Sequence, residues 1–382
     1  MKIFLAFFQG EPNHPISSYS FWPYYIKNGI EEAGHSWIED KQIDWAYGMV
    51  PQSTSSLEKW KSIAWEKALS LIKSERPDFV LSYLYPHLID SVAIKEIQKL
   101  GIPCVNFFCD NVREFIKAPR AFEVFDLNWV PESNALNLYK SAGYKYIHLP
   151  MPMWVDPKQR EISGKELFEI SFIGSRDLQR LLLFNQVFEL DTELPLSIYG
   201  SGWKETKTSS NSGVAPLSLY NKAFFQAKFI QKEGIKGYIR KLKQRKFNPV
   251  ITPKLMSHLN GKPSFDDYLS ITKHSKITLG VNRYDSYRYP LLKPDSYSRL
   301  RDIESPMLGS CYLTEDNSDI DFLYVKGKEI ETYSSAEELI SKSRDLYENP
   351  QKRNELRQAA QIKALNEHSI SRSLEKIIQT LL

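Results

Sequence analysis

Residues 296–316, SYSRLRDIESPMLGSCYLTED, carry the charged side chains of this sequence that are best placed to bind a phosphorylated ligand. The pattern indicates a helical stretch with Arg299, Arg301 and Glu304, which ends at a glycine and is followed by a short strand. Guanidinium groups pair with phosphate oxygens, and a carboxylate accepts hydrogen bonds from ribose hydroxyls. The segment therefore predicts a site for a sugar nucleotide.

The bulk properties of the chain limit its class. At 382 residues it is long for one hydrophobic core, so two domains are expected. A formal net charge of +4 argues against a protein built to bind nucleic acid. No uncharged apolar run is long enough for a membrane span, and the N-terminal residues indicate a strand rather than a signal peptide. Three cysteines in strand-like surroundings predict reduced thiols and a cytoplasmic protein, and no Cys or His spacing indicates a metal site.

The first half of the chain alternates apolar segments with amphipathic ones, which predicts β-α units and a parallel sheet. The predicted strands are 2–8, 35–39, 78–83, 102–108, 125–130 and 146–149, and the predicted helices are 24–33, 57–74, 89–100 and 132–142. Three prolines within residues 150–157 interrupt the pattern and indicate a linker.

The alternation then restarts. The predicted strands are 168–173, 196–199, 276–281, 311–314 and 328–332, and the predicted helices are 177–190, 336–348, 351–366 and 370–382. We therefore predict an α/β fold of two doubly wound, Rossmann-like domains that face each other across a cleft. The domains are 1–150, 151–366 with an insertion at about 204–262, and a C-terminal helix, 367–382, that packs on the first domain. Ligands of such sheets bind beyond the carboxyl ends of the strands.

Six segments of the second half resemble the glycosyltransferase group 1 type of C-terminal domain, and most closely its CgeB-like, spore-maturation branch. They are EISFIGSRD, LSIYGSGW, SKITLGVNR, SRLRDIESPMLGSCYLTED, KGKEIETYSSAEELI and ENPQKRNELRQAA. The resemblance implies the GT-B fold and an enzyme that uses a nucleotide-activated sugar, held mainly by the C-terminal domain. It also implies that no cofactor or metal is required. The N-terminal half matches only in pattern, as expected where the acceptor varies.

The resemblance also assigns donor-binding positions. Glu304 corresponds to the glutamate that contacts the ribose, and Arg301 and Arg299 correspond to basic residues near the diphosphate. Two glycine-rich turns and the end of one strand complete the set: Gly174, Ser175, Gly200, Ser201, Gly202 and Arg283. Many retaining relatives have a second glutamate eight residues before the first, where this chain has Ser296, so inversion and retention of configuration both stay open.

These positions also have ordinary structural explanations. Arg301 and Glu304 are spaced as a solvated helical ion pair. Arg299 and Arg283 could each be an ordinary cation on the protein surface. A short glycine turn needs no ligand, although it lets backbone N–H groups approach a phosphate.

Asp110 and His14 are the candidate catalytic residues. Asp110 follows the apolar strand VNFFC, so its carboxylate is expected at the carboxyl edge of the sheet, where it would take the acceptor proton in an inverting transfer. It is equally suited to cap the next helix. His14 lies in the loop after the first strand and is a second candidate base, although a solvent-exposed loop histidine is the commoner case.

The insertion concentrates positive charge, because residues 222–254 contain ten Lys or Arg and a single acid, Glu233. Four apolar residues follow helical spacing: Ile235, Tyr238, Ile239 and Leu242. One interpretation is a surface that binds the inner face of an anionic membrane, or that docks an anionic or lipid-linked acceptor. The other is a helix packed on the domain with a solvated basic face.

The sequence thus predicts a cytoplasmic glycosyltransferase that moves a sugar from a nucleotide-sugar to a hydroxyl of a glycan, lipid-linked or protein acceptor. Nucleic acid is not an expected partner. Two alternatives stay open at this point: a nucleotide-sugar 2-epimerase of the same fold, and a non-catalytic module that binds a glycan or nucleotide.

Overall fold

The computed structural model describes residues 1–8, 21–204, 219–244, 247 and 249–381, so His14 and part of the basic segment lie outside the described residues. The chain divides into two compact units, Met1–Asp156 with Lys363–Leu382, and Pro157–Ile362. The first boundary follows Asp156 rather than residue 150, because Met153 and Trp154 are buried within the first unit. There the Trp154 indole donates a hydrogen bond to Glu32, at 2.6 Å.

The first unit contains a six-stranded parallel sheet in the order β2-β1-β3-β4-β5-β6. Its strands are β1 Lys2–Phe7, β2 Ser36–Ile38, β3 Phe79–Tyr83, β4 Cys104–Phe107, β5 Leu127–Val130 and β6 Tyr146–His148. The helices that follow them are α1 Trp22–Glu32, α2 Thr54–Glu75, α3 Ser91–Lys99, α4 Asn111–Glu114 and α5 Leu136–Ala142. The central strands are apolar and buried on both faces, as a sheet covered by helices requires.

The second unit contains a five-stranded parallel sheet in the order β11-β10-β9-β7-β8. Its strands are β7 Phe168–Ile173, β8 Leu196–Tyr199, β9 Ser275–Gly280, β10 Tyr312–Glu315 and β11 Glu331–Tyr333. Its helices are α6 Leu178–Leu190, α7 Leu219–Gln244, α8 Pro253–Met256, α9 Phe265–His274, α10 Arg301–Met307, α11 Ser318–Leu323 and α12 Ala336–Glu348, and α13 Pro350–Glu367 runs from this unit into the first. No helix within the described part of the chain has the length and apolar character that crossing a bilayer requires.

The last helix, α14 Ile370–Leu381, belongs to the first unit and packs on α1. The two helices meet at Gly29, where a Cβ atom would lie 1.9 Å from Cγ2 of Ile370. Ile370, Leu374 and Ile377 are all buried. Glycine is required at this contact because any larger residue would push α14 away from α1.

A buried ion-pair cluster fixes α13 in the second unit. Arg353 donates two hydrogen bonds to Glu166, at 2.9 and 2.6 Å, and Nη2 of Arg357 lies 2.8 Å from the same carboxylate. Arg353 also donates to the carbonyls of Leu346 and Tyr347, at the end of α12. Both arginines are buried, so a single carboxylate balances two charges that are shielded from water.

We expect Glu166→Gln to lower the free energy of unfolding by about 3 kcal/mol at neutral pH, because both arginines would then lack a buried counter-charge. Burial alone would raise the pKa of Glu166, but Arg353 and Arg357 lower it below its ordinary value of 4.5. The stabilisation is therefore complete above that value and is lost as the pH falls through the folded-state pKa.

Urea unfolding at pH 7 and at steps below pH 5 measures this effect, with the surface variant Glu375→Gln as control. A difference between wild type and Glu166→Gln that stayed constant down to the lowest pH would contradict the assignment.

Candidate active site

The carboxyl ends of β8, β7, β9 and β10 lie side by side in the second unit, and the predicted donor residues follow β8, β7 and β9 or lie at the start of α10. The sequence indicated a helical stretch that includes Arg299. In the structure α10 starts at Arg301, so Arg299 lies just before the helix. Leu300 is the N-cap and cannot cap with its side chain. The start of α10 therefore depends on other groups to hold it against the sheet.

Asp302 supplies that attachment. Its carboxylate is fully buried and accepts hydrogen bonds from the Asn282 amide, the Tyr312 hydroxyl and the Thr314 hydroxyl, with shortest distances of 2.9, 2.8 and 3.0 Å. It also accepts from the backbone N–H of Arg299, at 2.9 Å. Burial raises the pKa of Asp302, and its hydrogen bonds oppose that rise. One carboxylate thus joins the end of β9, strand β10 and the start of α10.

Glu304, two residues after Asp302 on α10, is a second buried carboxylate. It is only 2% exposed and accepts a hydrogen bond from the Tyr268 hydroxyl, which comes from α9. Burial and the charge of Glu304 raise the pKa of Tyr268, so this tyrosine remains a donor. The interpretation of Glu304 and Arg301 as a solvated surface pair is wrong, because Glu304 is buried and hydrogen-bonded to a tyrosine.

Arg301 lies over the ring of Tyr268, with its guanidinium carbon 4.8 Å from the ring centre. Its Nη1 is buried and has no hydrogen-bond partner among the residues that the structure describes. A buried guanidinium nitrogen without an acceptor is costly. Nη1 of Arg301 can therefore donate a hydrogen bond to an anionic oxygen of a ligand.

Three arginines from two parts of the chain form an electropositive cluster. Arg180, on the first turn of α6, has its pKa lowered by burial and further by the charges of Arg299 and Arg301, although Asp177 opposes the shift. Nη1 of Arg180 donates to the carbonyl of Ser175, at 2.8 Å, and so holds the turn after β7. The guanidinium of Arg299 lies 4.3 Å from the ring centre of Tyr297. Like charges held this close favour binding of a polyanion.

Arg283, at the end of β9, is engaged within the protein. Its Nε donates to Glu315, at 2.7 Å, and its backbone N–H donates to the other oxygen of the same carboxylate, at 2.9 Å. Burial alone would lower the pKa of Arg283, but Glu315 raises it. The charge of Arg283 is therefore largely balanced before any ligand binds.

The two glycine-rich turns pack against each other. The N–H of Gly174 donates to the carbonyl of Tyr199, at 2.8 Å, and the N–H of Gly200 donates to Gly261, at 3.2 Å. Gly200 has φ +138°, and a Cβ there would lie 2.1 Å from the carbonyl oxygen of Gly174. These two N–H groups are thus used inside the fold, and the glycines allow the turns to approach closely.

The neighbouring turn residues Ser175, Ser201 and Gly202 lie at the same edge of the sheet. The carbonyl of Ser175 accepts from Arg180, and the carbonyl of Ser201 accepts from the N–H of Arg176 at 2.9 Å. Gly202 has φ +81°, which favours glycine. Their contribution to donor binding stays a prediction.

In the first unit, Asp110 follows β4 with φ +65° and ψ +22°, a left-handed conformation that is uncommon for a residue other than glycine. It does not cap α4 with its side chain. Glu132 does so instead, accepting from the N–H groups of Asn111 and Val112 at 2.8 and 3.0 Å. Asp110 thus occupies the N-cap position of α4, as one interpretation predicted, but without a capping hydrogen bond from its side chain, and its catalytic role stays a prediction. His14 lies outside the described residues.

Sequence reasoning missed Arg180 and Tyr268. Tyr268 lies on α9, a helix that was not predicted, although Ser264 with Asp267 three residues later is a capping signal before an amphipathic stretch. Arg180 lay inside a predicted helix, but nothing in the sequence placed it near residues 299–301. Among the described residues, no three His, Cys, Asp or Glu side chains are grouped as metal ligands.

We expect inorganic pyrophosphate to raise the melting temperature more than chloride of equal ionic strength, because a polyanion relieves the repulsion among Arg180, Arg299 and Arg301. Arg180→Gln should lose most of this increase. The matched control is Arg372→Gln, which removes an exposed guanidinium paired with Glu375. A pyrophosphate shift that was equal in both variants would exclude the cluster as an anion site.

The sequence matches a family model, and the fold matches solved structures. The family model described as glycosyl transferase-like matches residues 179–379. The sucrose-phosphate synthase of Thermosynechococcus elongatus is 10% identical with a TM-score of 0.60, covering 100% of this chain and 99% of that one. AviGT4, a glycosyltransferase of avilamycin A biosynthesis, is 12% identical with a TM-score of 0.57, covering 100% and 97%. Anabaena HepE, in complex with UDP-glucose, is 11% identical with a TM-score of 0.56, covering 100% and 99%.

At these identities the structural likeness concerns the fold, and it confirms the predicted α/β, GT-B architecture. No curated protein matches the sequence. The family model spans more than half of the chain, with both the α10 segment and α12 inside the matched region. The protein therefore belongs to the glycosyl transferase-like family and is a glycosyltransferase of the GT-B fold.

Proposed function

We propose that this enzyme transfers a sugar from a nucleotide-sugar donor, and that the region around α10 binds the donor. The observation that carries the proposal is the buried pair of Glu304 and Tyr268 beside the cluster of Arg180, Arg299 and Arg301. A buried carboxylate can accept from two adjacent hydroxyls, as a ribose presents them. The guanidinium groups suit the diphosphate.

In this proposal Glu304 accepts hydrogen bonds from the ribose, and Tyr268 fixes the orientation of its carboxylate. Nη1 of Arg301 gains a phosphate oxygen as acceptor, and Arg180 and Arg299 add charge around the leaving diphosphate. HepE, which has a similar fold, was crystallised with UDP and with UDP-glucose. Uridine diphosphate is therefore the first nucleotide to test.

We also propose that transfer does not require a metal ion. Negative charge accumulates on the nucleoside diphosphate as the glycosidic bond breaks, and fixed cations can stabilise it in place of a bound metal. The arginine cluster supplies that charge at the carboxyl edge of β7 and β9. Chelation with EDTA tests this part of the proposal directly.

The acceptor and setting of the enzyme belong to the same proposal. The acceptor is a hydroxyl of a glycan, lipid-linked or protein molecule, and Asp110 takes its proton if transfer inverts the anomeric centre, with His14 as the second candidate. Membership of the CgeB-like branch rests on the signature residues of the second half. The three buried thiols support a reducing, cytoplasmic compartment.

We expect one nucleoside diphosphate of a panel, with uridine diphosphate first, to raise the melting temperature clearly, both with and without EDTA. Glu304→Gln should weaken binding about tenfold to a hundredfold, because a ribose hydroxyl would lose its hydrogen bond to a charged group. Arg180→Gln should weaken binding of the nucleoside diphosphate but leave binding of the free nucleoside unchanged. Calorimetric titration measures both effects.

The matched control is Glu348→Gln, which changes an exposed glutamate of the same unit. If no nucleotide bound the folded wild-type protein, the donor site would be abandoned. If the nucleotide bound only in the absence of EDTA, metal independence would be wrong and the donor site would stand.

We expect Asp110→Asn to slow sugar transfer at least about a hundredfold while leaving nucleotide binding unchanged, if transfer inverts configuration. Asparagine tolerates the left-handed conformation of this position, so the variant should fold. In the absence of a known acceptor, release of nucleoside diphosphate by hydrolysis of the donor provides the rate.

NMR of the released sugar gives the anomeric outcome, and Asp40→Asn is the control. Retention of configuration together with an active Asp110→Asn variant would remove Asp110 from catalysis. That result would not affect the donor site.

A further inference from the structure

The second half of α7 packs on the protein through its polar side. α7 is interrupted at Gly234, where φ is +74°, and residues 235–244 form the part that follows. There Arg240 donates to the carbonyls of Tyr287 and Arg288. Gly237 faces the same segment, since a Cβ there would lie 3.4 Å from the carbonyl oxygen of Tyr287. These contacts fix the rotation of the helix about its axis.

Two further contacts hold the same side inward. Glu233, the single acid of the basic segment, lies 3.5 Å from Arg288. Lys241 lies over the ring of Phe229 in the first half of α7, with Nζ 3.7 Å from the ring centre, and Phe229 in turn packs on Tyr287, with 5.4 Å between ring centres. Glu233, Arg240 and Lys241 therefore lie on the side of α7 that faces the protein.

The apolar stripe consequently faces outward. Ile235, Ile239 and Leu242 are 70%, 47% and 42% exposed, and they follow i, i+4, i+7 spacing. Lys236 and Lys243 are exposed beside them. The helix therefore packs on the unit and exposes lysines, as one interpretation predicted, but its aliphatic side chains lie on the solvent side and not against the protein.

The segment that supports the helix adds to this surface. α7 contacts the backbone at Tyr287 and Arg288, and the same loop then exposes Tyr289 and Leu292, the latter at 81%. Lys293 follows and is also exposed. Two consecutive parts of the fold therefore present aliphatic or aromatic groups together with lysines.

We propose that this surface, defined by Ile235, Ile239 and Leu242 with Lys236 and Lys243, docks on an anionic lipid bilayer. A basic helix with an aliphatic stripe suits the bilayer interface, where the stripe enters the acyl boundary and the lysines meet acidic headgroups. The inference goes beyond the transfer reaction and does not depend on the donor site.

Charge selects lipid over the other occupants of such a face. A second copy of the chain would bring the same strongly basic segment, residues 222–254, against itself, so self-association through this surface is opposed. Nucleic acid would be attracted by the lysines but gives no use for an exposed aliphatic stripe. An acidic bilayer satisfies both the charge and the apolar groups.

Flotation of the full-length protein with lipid vesicles tests the proposal. We expect binding to phosphatidylcholine vesicles that contain phosphatidylglycerol, little binding to phosphatidylcholine alone, and release as sodium chloride is raised. Ile235→Ser with Ile239→Ser and Leu242→Ser should reduce binding severalfold, and Lys236→Glu with Lys243→Glu should reduce it as well. The matched control, Val92→Ser with Ile362→Ser, removes two exposed apolar side chains elsewhere and should bind as wild type.

Because every substituted residue is exposed, the variants should melt like wild type, and a thermal scan verifies this. Absence of binding to the acidic vesicles, or binding that neither the serine nor the glutamate variant reduces, would overturn the proposal. So would a concentration-dependent dimer of the wild type that the serine variant abolishes, since a second copy would then be the occupant. Nucleotide binding is measured separately, so failure here and failure of the donor site are distinguishable.

Discussion

The fully buried carboxylate of Asp302 is the constraint on which the donor site depends. It takes hydrogen bonds from the end of β9, from β10 and from the residue two before α10. A buried carboxylate is costly unless every lone pair is used, and here four groups donate to it. The start of α10, where Leu300 provides no cap, is therefore fixed to the sheet by a side chain from inside the helix. The positions of Arg299, Arg301 and Glu304 follow from that attachment.

The arginines at this edge of the sheet differ in how far their charges are balanced within the protein. Glu315 balances Arg283, which makes that pair a support for the strand end. Arg180 differs, since burial and the charges of Arg299 and Arg301 lower its pKa, and its ion pair with Asp177, at 3.4 Å, offsets only part of that shift. A site in which several partly buried guanidinium groups repel one another gains more from a dianionic ligand than a single arginine whose charge a carboxylate balances. This difference explains why the cluster, and not Arg283, is the stronger candidate for the diphosphate.

The sequence predicted the strands of the second unit well from their apolar runs. β7 and β8 have the predicted bounds, as does α12, which begins after a serine cap. It could not predict that Arg180 meets residues 299–301, because that contact depends on β7 and β9 being neighbours in the sheet. It missed Tyr268 because no helix was predicted between the insertion and β9, where α9 lies. The outward stripe of α7 was equally hidden, since periodicity shows that a face is apolar but not which way it points.

The N-terminus of α4 is capped by a side chain other than that of its N-cap residue, Asp110. A residue at the carboxyl end of a strand and before a helix is expected to cap that helix, and aspartate is well suited to do so. Here Glu132, which follows the neighbouring strand β5, reaches across and takes both N–H groups. The left-handed backbone of Asp110 costs about 1 kcal/mol relative to glycine, and the side chain gains no capping bond in return. The side-chain capping of α4 therefore rests on Glu132, while the carboxylate of Asp110 follows β4 at the edge where ligands of such sheets bind.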